Sequence, residues 1–128
     1  MPSPCSSKCT NLKSIFCGCY NLQDLSIVEN WDISNVTNLA YTFAACNALT
    51  SLDLSKWDTS NVTDMGVLFG RISSIKDDYM QLKEIRGLEN WNTSKVTNME
   101  WMFDACLCST YNIANWDTSK VTSMDAMF

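Results

Sequence analysis

The residues that could do chemistry in this chain are few, and each belongs to a row. Seven cysteines stand at 5, 9, 17, 19, 46, 106 and 108. The first four form a C-x3-C-x7-C-x-C run, a spacing that suits a zinc site or two disulfides near the N-terminus. Asp32, Asp58 and Asp117 each follow a tryptophan, with Asn92 in the fourth such place. Stacked carboxylates repel unless solvated or bound to a cation, and calcium is the natural hard partner. The competing reading is an Asx-turn onto the serine two residues later, a role in which Asn replaces Asp freely. The Asx-turn is preferred, because the row lacks the several oxygen ligands per site that calcium takes. Ser34, Ser60, Ser94 and Ser119 form a third row, and Thr37, Thr63, Thr97 and Thr122 a fourth. Regular threonine ladders on flat stacks can bind ice, but no T-x-T face is present. Hydrogen bonds from these hydroxyls to nearby backbone explain the rows better. The formal glycosylation sequons at Asn35, Asn61 and Asn92 read as by-products of the same pattern. With no His and only four Gly, no triad, imidazole base or phosphate loop can be assembled. No catalytic, metal or cofactor residue is assigned, and the expectation is a protein that is not an enzyme.

What must position these rows is a repeat. Trp31–Phe43 is WDISNVTNLAYTF, Trp57–Phe69 WDTSNVTDMGVLF, Trp91–Phe103 WNTSKVTNMEWMF, and Trp116–Phe128 WDTSKVTSMDAMF. The shared pattern is W-[DN]-x-S-x-V-T-x-[LM]-x-x-x-F. Thr10–Phe16 aligns with the second half of a copy, so the chain opens with a half coil over residues 9–16. The anchoring phenylalanines are Phe16, Phe43, Phe69, Phe103 and Phe128, at spacings of 27, 26, 34 and 25. A period near 26 lies within the leucine-rich-repeat range. Leu52-Asp53-Leu54 alternates as a half-buried strand does. Val96, Met99, Met102 and Phe103 are spaced as one face of a short helix. The expected fold is therefore α/β: a leucine-rich-repeat-like solenoid of about four and a half coils, ending at Phe43, Phe69, Phe103 and Phe128. Each coil would be a short strand plus a short helical turn, within a single repeat domain over 1–128. Cys19, Cys46 and Cys106 stand three residues after an anchoring Phe, with Ile72 in the same slot of the remaining coil. That register places them in the core as free thiols, since buried Cys behaves as a small hydrophobe. Cys5, Cys17 and Cys108 lie off the ladder and are the ones able to pair.

Segments such as LTSLDLSKWDTSNVTDMGVLF and WNTSKVTNMEWMFDAC resemble the BspA-like leucine-rich-repeat surface proteins of bacteria, most closely the branch found in mycoplasma lipoproteins. The resemblance runs from about Cys9 to Phe128. It implies a right-handed solenoid and a role in surface display or adhesion, with a cell-surface or secreted location. It carries no catalytic residues.

Composition narrows the function classes. The net charge is −5, which argues against nucleic acid held by phosphate contacts and against a polybasic membrane surface. No apolar run is long enough to span a membrane, and the start shows no apolar h-region or lipidation signal. Phe128 falls in mid-coil without a polar cap, which suggests a piece of a longer array or one that stacks end to end. The largest irregularity is an insertion over residues 70–81, GRISSIKDDYMQ, since Phe69 to Trp91 spans 22 residues against 13 to 15 elsewhere. Insertions in repeats often mark the binding face. Arg71, Lys76, Asp77, Asp78 and Tyr79, with Met127 and Phe128 at the open edge, are thus the candidate partner-binding residues. The expected function is a repeat module for protein–protein interaction or surface display. The alternative is a structural subunit assembling through uncapped ends, and a third class is an ice- or calcium-binding solenoid.

Overall fold

A computed structural model of the chain describes residues 6–73, 79–108 and 110–128. The repeat is visible at once in the backbone pairing. Asn11 bridges to Asn38, Asn38 to Asp64, Asp64 to Asn98, and Asn98 to Ser123, all in parallel. Successive copies therefore lie on one another as five rungs, named I to V after Phe16, Phe43, Phe69, Phe103 and Phe128.

The α/β expectation of a right-handed leucine-rich-repeat-like solenoid, a strand and a helical turn in each coil, is overturned. Among the described residues there is no α-helix. Regular structure is confined to two three-residue strands, β1 (Ser51–Asp53) and β2 (Glu84–Arg86), and two 3-10 segments, Ser26–Asn30 and Leu88–Asn90. β1 and β2 pair in parallel, with Leu52 opposite Ile85. The segment with helical spacing is a chain of tight turns. In rung II the N–H groups of Leu39, Tyr41, Phe43 and Ala45 donate to Asp64, Gly66, Leu68 and Gly70 of rung III. The intervening N–H groups of Thr42, Ala44 and Cys46 donate three residues back, to Leu39, Tyr41 and Phe43. A helix would spend all of these groups internally. Here alternate groups leave the segment, and Tyr41 and Ala45 at φ 61° and 57° turn the backbone away from the helical path.

The core is one contiguous cluster running from Leu12 to Met127. Its axis is aromatic. Phe16, Phe43, Phe69, Phe103 and Phe128 stack with centroids 6.0, 5.7, 5.6 and 5.6 Å apart and near-parallel planes. A second column sets Trp57, Trp91 and Trp116 at 6.4 and 6.1 Å. Those separations fit offset stacking. Each of the three indoles also donates to a carbonyl of the rung before: Trp57 to Val28, Trp91 to Leu54, Trp116 to Leu88. Ile72 does not occupy the core slot between Cys46 and Cys106. It is exposed, and Met80 is buried there instead, bridged to Cys106. The insertion thus rejoins the stack at Met80, and Gln81 already donates to Asn47 of rung II.

Phe69 has a phenylalanine on either side, so Phe69→Ala should cost about 3–5 kcal/mol in denaturant unfolding, as large aromatic truncations in packed cores do. A loss no greater than that of Ile27→Ala, a substitution at an exposed position, would show that the column does not hold the rungs together.

Candidate functional site

One position of the motif, two residues before each Phe, is held in the left-handed region in every rung. Ser14, Tyr41, Val67, Trp101 and Ala126 have φ of 61°, 61°, 55°, 56° and 50°. L-residues meet a steric cost of roughly 1–2 kcal/mol each there. For the β-branched Val67 the conformation is a true outlier. None of the five is Gly, so the corner carries a side chain wherever the stack turns. Tyr41 and Trp101 are 37% and 43% exposed.

Beside this column the chain departs from the repeat. A second left-handed corner follows the Phe by two residues at Gly18, Ala45 and Ala105, but Arg71, in that slot of rung III, does not adopt it. The insertion leaves the stack at this point. Gly70 passes so close to rung IV that a Cβ there would collide with the Trp101 carbonyl oxygen. The Arg71 guanidinium then reaches across to Asp104, Nε to Oδ2 at 2.8 Å, half-shielded from solvent. Between the corner column and the departing chain lies an open groove of about 400 Å³, lined by Tyr41, Val67, Arg71, Ile72, Ser73, Trp101 and Asp104. Two aromatic faces, aliphatic walls and one charge-assisted pair line it.

Of the residues singled out from sequence, Arg71 lines this groove. Tyr79 is exposed but outside the lining. Lys76, Asp77 and Asp78 lie outside the described residues. Met127 is not an exposed edge residue: it is buried against rung IV, and its carbonyl accepts the Phe103 N–H at 2.7 Å. Phe128 is 64% exposed, with one ring face on Phe103 and an edge against Tyr111. Tyr41, Ile72, Trp101 and Asp104 were missed. The available signal was the motif itself, which leaves the corner position free while two of its five occupants are large aromatics.

The remaining rows are structural. Asp32, Asp58, Asn92 and Asp117 each accept the N–H of the serine two residues on, at 2.9–3.0 Å. The threonine hydroxyls of 37, 63, 97 and 122 each donate to the threonine carbonyl of the rung before. The sequon amides of Asn35 and Asn61 donate to Ser7 and Ser34 in the same way. Among the described residues no cluster of three or more metal-ligating side chains forms. Cys9 is disulfide-bonded, whereas Cys17, Cys19, Cys46, Cys106 and Cys108 are free. Cys5 lies outside the described residues. Only Cys46 is fully buried; Cys19 and Cys106 are half-buried, because the rungs beyond them give less cover than the centre of the stack. Burial pushes the Cys46 thiol up to about 12. Cys106 and Cys108 have their sulfurs 3.4 Å apart, and the hydrogen bond between them holds one thiol, Cys106, below the ordinary thiol range while raising the other.

Two expectations follow. Maleimide labelling of the native chain at pH 8 should spare Cys46, a neutral and buried thiol, and rapid modification there would contradict its placement. The second concerns acid. The Ser hydroxyl and then the Ser N–H hold Asp32, Asp58 and Asp117 below the ordinary carboxylate range. A depressed native pKa gives stability that is present above the unfolded value of about 4 and is lost as pH falls through the native one. Replacing all three with Asn, the residue already present at 92, should leave neutral stability nearly unchanged and move acid unfolding to lower pH. An unmoved acid midpoint with lost neutral stability would mean that the charge, not the turn, is what the stack uses.

The sequence profile described as Mycoplasma protein of unknown function, DUF285, matches residues 4–86 and again residues 73–128. No curated protein and no solved structure matches the chain. With two overlapping matches that together run almost its whole length, the chain belongs to the DUF285 family.

Proposed function

We propose that the chain is a non-enzymatic repeat module that binds a protein partner, as a display or adhesion element at a cell surface. The observation that carries this reading is the corner column beside the insertion. Tyr41 and Trp101 are held outward on strained corners, flanking Arg71 and Ile72 at the one break in the repeat. Tyr, Trp and Arg are the residues that dominate interface energetics. Sparsely populated backbone that persists in a regular frame is a reason to look for function there. A repeat surface is otherwise nearly the same at every rung, so discrimination between partners must come from where the rungs differ. The motif's resemblance to BspA-like surface proteins points to the same role.

The test is selection of displayed peptides against the immobilised chain. The parent should enrich a peptide family, and Tyr41→Ser with Trp101→Ser should lose that enrichment while keeping the parent's melting behaviour. No enrichment by the parent, or equal enrichment by the folded double variant, would reject the groove as the binding face.

A further inference from the structure

Cys106 and Cys108 form a pair that the stacking of rungs does not require. Elsewhere one ladder cysteine is enough: Cys46 is buried, and its Sγ donates to the Phe16 carbonyl of the rung before at 3.1 Å. Cys106 repeats this contact, donating to the Leu82 carbonyl at 3.5 Å. Cys108 stands off the ladder, yet its sulfur turns to the same carbonyl at 3.3 Å. One sulfur would serve that oxygen, and the chain supplies two.

The local backbone brings them together. Cys106 pairs with Met80 in a parallel bridge, so the chain is extended there. Residues two apart on an extended chain project to the same side. The two sulfurs accordingly meet at 3.4 Å, and with the Leu82 oxygen they make a triangle whose edges are 3.3, 3.4 and 3.5 Å. Among the described residues this is the one thiol–thiol hydrogen bond. Cys17 and Cys19 share the C-x-C spacing without it, and Gly18 between them turns through a left-handed corner at φ 77°. The bond between the sulfurs keeps one thiol of the pair below the ordinary thiol range. The thiolate is the form that attacks a disulfide, and its neighbour stands in contact, placed to complete the exchange.

We propose that Cys106 and Cys108 are a redox-active dithiol site whose substrate is a small-molecule disulfide of the glutathione class. One sulfur, as thiolate, attacks the small disulfide. The S–S bond of the substrate breaks, a mixed disulfide with the protein forms, and the first small thiolate leaves and takes up a proton. The second sulfur of the pair gives up its proton and attacks the first. The mixed disulfide breaks, the Cys106–Cys108 bond forms, and the second small thiolate leaves and is protonated. Two protein thiols are oxidised, and one small disulfide is reduced to two thiols. Closure also strips both thiol donors from the carbonyl of Leu82, a fully buried residue. That loss favours the dithiol, so the disulfide is one that reduced glutathione reopens. The pair lies outside the lining of the corner groove, and its failure would leave the groove reading untouched.

The test equilibrates the 128-residue chain in glutathione buffers from fully reduced to fully oxidised, followed by acid quench, alkylation and peptide mass mapping. The peptide holding both cysteines should pass from two alkyl labels to none, with no glutathione attached. It should regain both labels when reduced glutathione is restored. The near-ultraviolet circular dichroism of the tryptophans should not change. Of the variants Cys106→Ser and Cys108→Ser, at least one should accumulate glutathione on the cysteine that remains, because the sulfur that would displace it is gone. A pair that stays as two thiols at every ratio, or that ends with glutathione on both sulfurs, overturns the proposal. So does closure that occurs only with loss of the tryptophan signal, or a failure of both variants to hold the mixed disulfide.

Discussion

Each turn segment spends every second backbone N–H on the neighbouring rung and every other one on itself, and the rest of the structure depends on that division. A backbone group buried without a partner costs free energy comparable to a lost hydrogen bond. A lone copy would leave three or four such groups bare, along with one whole face of its Phe and Trp. Stacking satisfies them together. The polar rows serve the same end: the threonine hydroxyls and the amides of Asn35 and Asn61 reach back to the preceding rung. The motif is thus a set of instructions for meeting a copy of itself.

The same division explains the strain. To aim alternate N–H groups along the stack, the chain must turn through left-handed corners, and the motif does so without glycine. Aromatic burial in the adjacent column offsets the cost, since each inner Phe has rings above and below and a Trp to its side. Corners so fixed hold their side chains at set heights along one edge. That regularity makes the departure at Gly70 and Arg71 informative, because the insertion opens against a rigid edge and the Arg71–Asp104 pair pins its start to the next rung.

Much of this was legible in the sequence. The register, the half copy at the start, the Phe and Trp columns and the Asx-turns all follow from aligning thirteen residues. The backbone between Val96 and Phe103 was not. Apolar residues at intervals of three and four describe a helical face, but a run of turns with left-handed corners buries the same positions. Spacing alone cannot separate the two, and no Gly marks the corner two residues before each Phe. The slot assigned to Ile72 failed for a related reason: the register holds only until the insertion leaves the stack, and Met80 resumes it eight residues later. Met127 was misplaced because its side chain packs into the core cluster against rung IV instead of facing the open edge. The groove depends on Tyr41, Trp101 and Asp104 from different rungs, which no local pattern joins.

The direction of the hydrogen bonds between rungs also sets how the chain bears force. They run along the stack axis, so tension applied between the two ends of the chain loads the junctions in series instead of shearing them side by side. Rungs should then peel singly, and a freed repeat of about 26 residues lengthens the tether by on the order of 90 Å at 3.3–3.6 Å per residue. Such a stack would yield in steps, and each released rung would leave the remaining columns stacked and able to close again.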